Sequence, residues 1–311
     1  MNISSLLDDS RSNEVSVLDC KILEEMDHWN FTGQDGIEVK GGELSRDKDT
    51  VINFLAGTAF ACQIYWPYLK QLTQHNDLVW HDYKGHGDSE NGDGEFDCWS
   101  VTTDRARSVF DQKYANHQGK KVLGLGHSYG GAMTLILAAE HPELFSGLVL
   151  IDPFMVPEKF EDTYRSMTDM LVSKTRGRNP VWDSELAVKE YMATKFMFQD
   201  WSDEAIDAFI AFNLDQHADA TFTLKCPPTI EAGVYDDKVT ALWPSVEKLK
   251  VPTYILSGDK TVPFFSEGHQ IAAEMNPNIE LVSVKGGHNF MQEHPDASVE
   301  ATLSAIRKLL D

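Results

Sequence analysis

The sequence predicts an α/β protein with a mostly parallel central sheet and helices on both faces. Two observations predict it. First, short continuous apolar runs recur along the chain, as in strands buried on both faces. They are Val51–Leu55, Leu78–Asp82, Lys121–Leu125, Leu148–Asp152, Pro252–Gly258 and Ile279–Val284. Second, helical stretches separate most of them, which is the crossover pattern of parallel strands.

The elements follow in order. Residues 1–14 are polar and expected to be loosely held. Val15–Leu23 and Ile37–Val39 read as short strands, with Gly33, Gly36, Gly41 and Gly42 as turn signals. After Val51–Leu55 come Ala56-Gly57-Thr58-Ala59-Phe60 and a helix around Tyr65–Leu72. After Leu78–Asp82 come Tyr83-Lys84-Gly85-His86-Gly87-Asp88-Ser89 and a helix over Trp99–Tyr114. The alternation breaks after Pro153. Residues 154–245 lack convincing strand–helix pairs and are rich in Met and aromatics. Within them Ser202 reads as an N-cap, followed by Asp203 and Glu204, with Ile206, Phe209 and Ile210 on one face. The stretch is expected to be a helical insertion over the sheet edge, mostly packing, with a minority of side chains lining a pocket. The flanking parts, 1–153 and 246–311, form one core. Its last helices are expected at about Ser266–Met275 and Ala297–Leu310.

Gly126-His127-Ser128-Tyr129-Gly130-Gly131 carries the chemistry. It lies between an apolar strand and a helix and contains G-x-S-x-G, a tight turn that lifts a nucleophilic serine clear of the backbone. The neighbours two before and two after must be nearly free of side chain, and Gly126 and Gly130 meet that need. The turn aims the Tyr129 N–H and the helix N-terminus at whatever binds there. A serine hydroxyl needs an adjacent base. His288, on the glycine-rich loop Lys285-Gly286-Gly287-His288 after the last long strand, fits that role. His127 reads as a packing residue that points away.

Bulk composition excludes several classes. The net charge of −22 argues against nucleic acid and anionic membrane partners. Cys20, Cys62, Cys98 and Cys226 show no metal or redox spacing, so reduced thiols in a cytoplasmic protein are expected. No secretory leader, membrane span or internal repeat is evident.

Together these pieces resemble the α/β-hydrolase superfamily. The match rests on four ordered segments: Ala56-Gly57-Thr58, Asp82 to Ser89, the turn at Ser128, and Gly287-His288. It implies the α/β-hydrolase fold, with 154–245 as a helical cap inserted after the sixth strand. It is most similar to the capped group of esterases, carbon–carbon hydrolases, epoxide hydrolases and dehalogenases. The last two carry aspartate at the turn, so Ser128 points away from them.

The resemblance places an oxyanion hole at the N–H groups of Thr58 and Tyr129, although the family's usual His-Gly opening is replaced by Ala56-Gly57. It usually places the triad acid three residues beyond Gly258, where this chain has Thr261. The acid is therefore expected at Asp152, the end of the preceding strand, with Asp259 as the alternative. Phe196, Phe198 and Trp201 are expected to contact substrate. The activity implied is hydrolysis of a carboxylic ester of a small or medium apolar molecule. A carbon–carbon or amide hydrolase and a non-catalytic receptor stay open. Neither metal nor cofactor is expected; the oligomeric state is left open.

Overall fold

The computed structural model describes residues 25–114, 117 and 119–311. The expected strand Val15–Leu23, the polar segment 1–14 and Cys20 lie outside them.

The strands in chain order are β1 (Asp27–Thr32), β2 (Glu38–Leu44), β3 (Thr50–Leu55), β4 (Asp77–His81), β5 (Lys121–His127), β6 (Gly147–Ile151), β7 (Val181–Trp182), β8 (Leu214–Gln216), β9 (Phe222–Leu224), β10 (Thr253–Gly258) and β11 (Ile279–Val284). Eight of them form the main sheet in the order β1-β2-β4-β3-β5-β6-β10-β11. From β4 to β11 every neighbouring pair is parallel; β1 and β2 add antiparallel at one edge. The hairpin between them turns at Gly33–Gly36, where the Gly33 N–H bonds to the Ile37 carbonyl at 3.0 Å.

Side-chain alternation assigns each strand residue to one face. Ile52 and Phe54 of β3, Leu123 and Leu125 of β5, and Val149 and Ile151 of β6 point into one core, shared with Tyr65, Trp66, Val299 and Ile306. Val51, Leu55, Leu148 and Leu150 point into the other, shared with the helices Trp99–Tyr114 and Tyr129–Glu140. Both faces are covered, so these strands carry continuous apolar runs.

Between β6 and β10 lie helices Glu161–Arg176, Glu185–Ala193, Asp203–Asn213, Pro228–Asp236 and Leu242–Lys248, and a small antiparallel sheet in the order β7-β9-β8. Those strands have two or three residues each, too few for a periodic signature, and only helices were expected here. The Ser202 side chain accepts the Ala205 N–H at 3.2 Å and caps its helix. Leu242–Lys248 straddles residue 245 and buries Leu242 and Val246 in the same core as the Tyr129–Glu140 helix. Among the described residues no helix is long and apolar enough to cross a membrane.

Candidate active site

β5 ends directly beneath Ser128, which has φ 51 and ψ −114. A non-glycine residue at positive φ is strained and is held there by its surroundings. The Ser128 N–H bonds to the Ile151 carbonyl at 3.0 Å, and its carbonyl accepts from Ala132 and Phe154 at 3.1 and 2.9 Å. The turn is tight enough that a Cβ on Gly126 would lie 2.5 Å from the Gly130 carbonyl oxygen, and one on Gly130 would strike the Leu55 carbonyl. This is the physical reason for both glycines.

Ser128, His288 and Asp152 stand in one chain of hydrogen bonds. Ser128 Oγ is 2.9 Å from His288 Nε2, and His288 Nδ1 is 2.9 Å from Asp152 Oδ1. An ionised carboxylate only accepts, so Nδ1 carries the proton and Nε2 is left to accept from the serine hydroxyl. Asp152 is fully buried, with φ 40. It also receives the Thr261 hydroxyl on Oδ1 at 2.6 Å and the Gly258 N–H on Oδ2 at 2.7 Å. Burial alone would raise its pKa; the bond and charge of His288, with His269 and Thr261, outweigh burial and hold the carboxyl below its ordinary value. Thr261, at the place where the resemblance puts the acid, thus donates to the carboxylate one strand earlier. Asp259 is exposed and accepts the Gly286 N–H at 2.9 Å, bracing the loop that carries His288 without touching the imidazole.

His127 does more than pack. It is buried, with Nδ1 2.7 Å from the Tyr65 hydroxyl and Nε2 2.9 Å from the His288 carbonyl. Desolvation, with His288 nearby, lowers its pKa to about 3, so the ring is neutral. The carbonyl requires a donor, so Nε2 holds the hydrogen and Nδ1 accepts from Tyr65. Tyr65 in turn accepts the Gly57 N–H at 3.1 Å. This bridge ties the Gly57-Thr58 loop to the loop of His288. Its signal in the sequence was the histidine beside Ser128; its partner, sixty-two positions away in the chain, carried no signal.

A cavity of about 400 Å³ opens beside Ser128. Thr58 and Tyr129 line it, and their N–H groups have no hydrogen-bond partner among the described residues. Its roof comes from Tyr164, Met167, Thr168 and Leu171, one face of the Glu161–Arg176 helix at i, i+3, i+4, i+7 spacing. Phe154, Phe264 and Phe265 close one side; the Phe265 ring lies 5.2 Å from that of His288. None of the three residues expected to contact substrate lines this cavity; Phe196 and Phe198 line a second one beside it. Phe196 is 90% exposed. Phe198 and Trp201 are buried on each other and on Phe209, with Trp201 also against Phe60. Met197, between them, does line the cavity. Among the described residues no group of three or more His, Cys, Asp or Glu is placed to hold a metal ion.

The model of the alpha/beta hydrolase family matches residues 54–301. The chain belongs to the α/β-hydrolase family. Monoglyceride lipase of Homo sapiens is 37% identical over 76 residues, 24% of this chain and 25% of that one. A type I acyl-CoA thioesterase of Penicillium brevicompactum is 23% identical over 214 residues, 68% of this chain and 44% of its own length. The chain thus spans less than half the length of either relative. The peroxisomal α/β-hydrolase Lpx1 of Saccharomyces cerevisiae superposes with a TM-score of 0.76 at 16% identity, over 92% of this chain and 89% of that one.

Proposed function

We propose that this α/β-hydrolase is a serine hydrolase that cleaves carboxylic esters of small or medium apolar molecules through an acyl-enzyme. The observation that carries the reading is the hydrogen-bond chain Ser128–His288–Asp152 at the floor of an apolar cavity. Similarity to a monoglyceride lipase and an acyl-CoA thioesterase supports acyl transfer to water.

In this reading Ser128 Oγ attacks the ester carbonyl carbon as His288 Nε2 takes its proton. Asp152 holds the imidazole tautomer and stabilises the imidazolium. The tetrahedral oxyanion turns toward the N–H groups of Thr58 and Tyr129, each such donor lowering the barrier by about 2.7–4 kcal/mol. The carbon–oxygen bond of the leaving group breaks, and the alcohol leaves with the proton from His288. Water then repeats the sequence on the acyl-enzyme, and the acid departs. These residues complete the cycle on their own. The stretch 154–245 acts as the cap that roofs the site.

The test is hydrolysis of p-nitrophenyl butyrate. Ser128→Ala should fold normally and lose kcat on the order of 10⁶-fold, as in other serine hydrolases. A host-esterase-free Ser128→Ala preparation with wild-type activity would end the proposal. A wild-type protein that turns over no ester, thioester, amide or carbon–carbon substrate would point to a receptor on the hydrolase fold.

A further inference from the structure

A second cavity, of about 320 Å³, adjoins the first. Thr58, Phe60, Leu171, Met197 and Tyr235 line both, so a single layer of side chains separates them. Trp182, Val188, Met192, Phe209 and Leu224 make most of its wall apolar. Against that wall stands an ion pair between Arg178 and Glu231. Tyr235 donates to Glu231 Oε1 at 3.3 Å. Asn213, also in the wall, has spent its amide on the Ala61 N–H and the Ala59 carbonyl. The Tyr191 side chain also acts on the Arg178 guanidinium, but its Nε is buried with no hydrogen-bond partner among the described residues. A buried N–H without an acceptor is costly and calls for an occupant.

We propose that this second chamber holds the distal part of the substrate's acyl chain and that Arg178 Nε–H reads a neutral oxygen there, a ketone or hydroxyl. The inference rests on the serine-hydrolase reading. The acyl part is assigned to this second chamber because it stays bonded to Ser128 while the alcohol leaves, and Met167, an exposed residue at the rim, lines the first cavity alone. The oxygen is neutral because Arg178 and Glu231 already cancel, and Lys195, the other cation in the wall, is exposed and stands over the Tyr191 ring. A carboxylate would add an unpaired negative charge to an apolar chamber. Burial already raises the Glu231 carboxyl above its ordinary value against the pull of Arg178. A neutral acceptor costs no such charge and gains a charge-assisted bond.

The experiment compares kcat/KM for p-nitrophenyl dodecanoate and its keto isomers, with the ketone moved one carbon at a time along the distal half of the chain. One isomer, or two neighbours, should exceed the parent ester by about tenfold, the scale of one hydrogen bond to a charged donor. The peak should vanish in Arg178→Lys, which keeps the positive charge but has no Nε–H. It should vanish too in the Arg178→Met/Glu231→Leu double variant, which removes both charges together; if that variant does not fold, Arg178→Lys still decides. Hydrolysis of the butyrate ester with no keto peak overturns the chamber and leaves the serine-hydrolase reading standing. So does a peak that survives Arg178→Lys, or a gain only for an ester with a distal carboxylate. If the wild-type protein hydrolyses no ester, the hydrolase reading fails instead. The chamber is then decided by calorimetry with the free keto acids: tighter binding than dodecanoate, lost in Arg178→Lys, supports it, and equal binding overturns it.

Discussion

At the scale of single residues, Asp152 has a fixed environment and Asp259 has a loose one. Asp152 is buried and holds three donors, from His288, Thr261 and Gly258. Replacing one carboxylate oxygen by an amide leaves the shape but puts an N–H donor into a site built of donors. The amide also favours the wrong imidazole tautomer at His288. Asp152→Asn should therefore lower kcat on p-nitrophenyl butyrate on the order of 10⁴-fold at unchanged fold, as in other triads. Asp259→Asn removes only an exposed brace and should cost less than tenfold, within about 1 kcal/mol. Kinetics of the two variants, with circular dichroism to show equal folding, checks this; the reverse ranking would move the acid to Asp259. The placement of Ser128 was legible in the sequence because only glycine fits at Gly126 and Gly130, so the turn leaves a local signature. The bond of Thr261 and the Tyr65 partner of His127 left none, because these contacts are brought together only by the sheet order.

At the scale of elements, the same contrast separates the core strands from the insertion. β3, β5, β6 and β10 are buried on both faces and have continuous apolar runs, so each could be read alone. In the insertion, which face of each helix looks inward depends on what lies beneath it. Met167 and Met170 are three residues apart on the Glu161–Arg176 helix and both are more than half exposed, yet only Met167 lines the cavity. Met167→Trp should fill the roof and lower kcat/KM for the octanoate ester relative to butyrate by about tenfold, a change of one or two methylenes in effective room. Met170→Trp should leave that ratio unchanged. Equal effects from both would mean that the helix presents a different face. Trp201 shows the other fate of an apolar residue here. Its indole is fully buried against Phe60, Phe198 and Phe209, so Trp201→Ala should cost about 3–5 kcal/mol in urea unfolding.

At the scale of the whole molecule, burial of titratable groups sets how stability depends on pH. Burial, with Arg105 nearby, lowers His81 to about 4; burial lowers His86 to about 4; and burial lowers His127 to about 3. In the unfolded chain each titrates near 6.5. Between pH 6.5 and 4 the unfolded state therefore binds protons that the folded state refuses, and stability falls as pH falls. Asp82 acts in the opposite direction. Burial raises its carboxyl to about 6, so below that pH the fold holds a proton that the unfolded chain lacks. Burial raises Glu231 and Asp207 in the same sense. Burial lowers His269 too, and Asp152, Asp77 and Glu43 are held below their ordinary values by their partners, so these groups join the three histidines and unfolding takes up protons as pH falls. A net charge of −22 adds a contrary effect, since self-repulsion relaxes as the chain approaches its isoelectric point near 4.8. At about 0.15 M salt that repulsion is screened beyond roughly 8 Å, while the buried groups are not screened. The urea midpoint measured at that salt should hold level from pH 8 to 7 and drop steadily from 6.5 to 4.5. The imidazole proton resonances of His81, His86 and His127 should show no titration above pH 5 in the folded protein. A midpoint that rises toward pH 4.8 would show that surface charge, rather than the buried histidines, governs the acid limb.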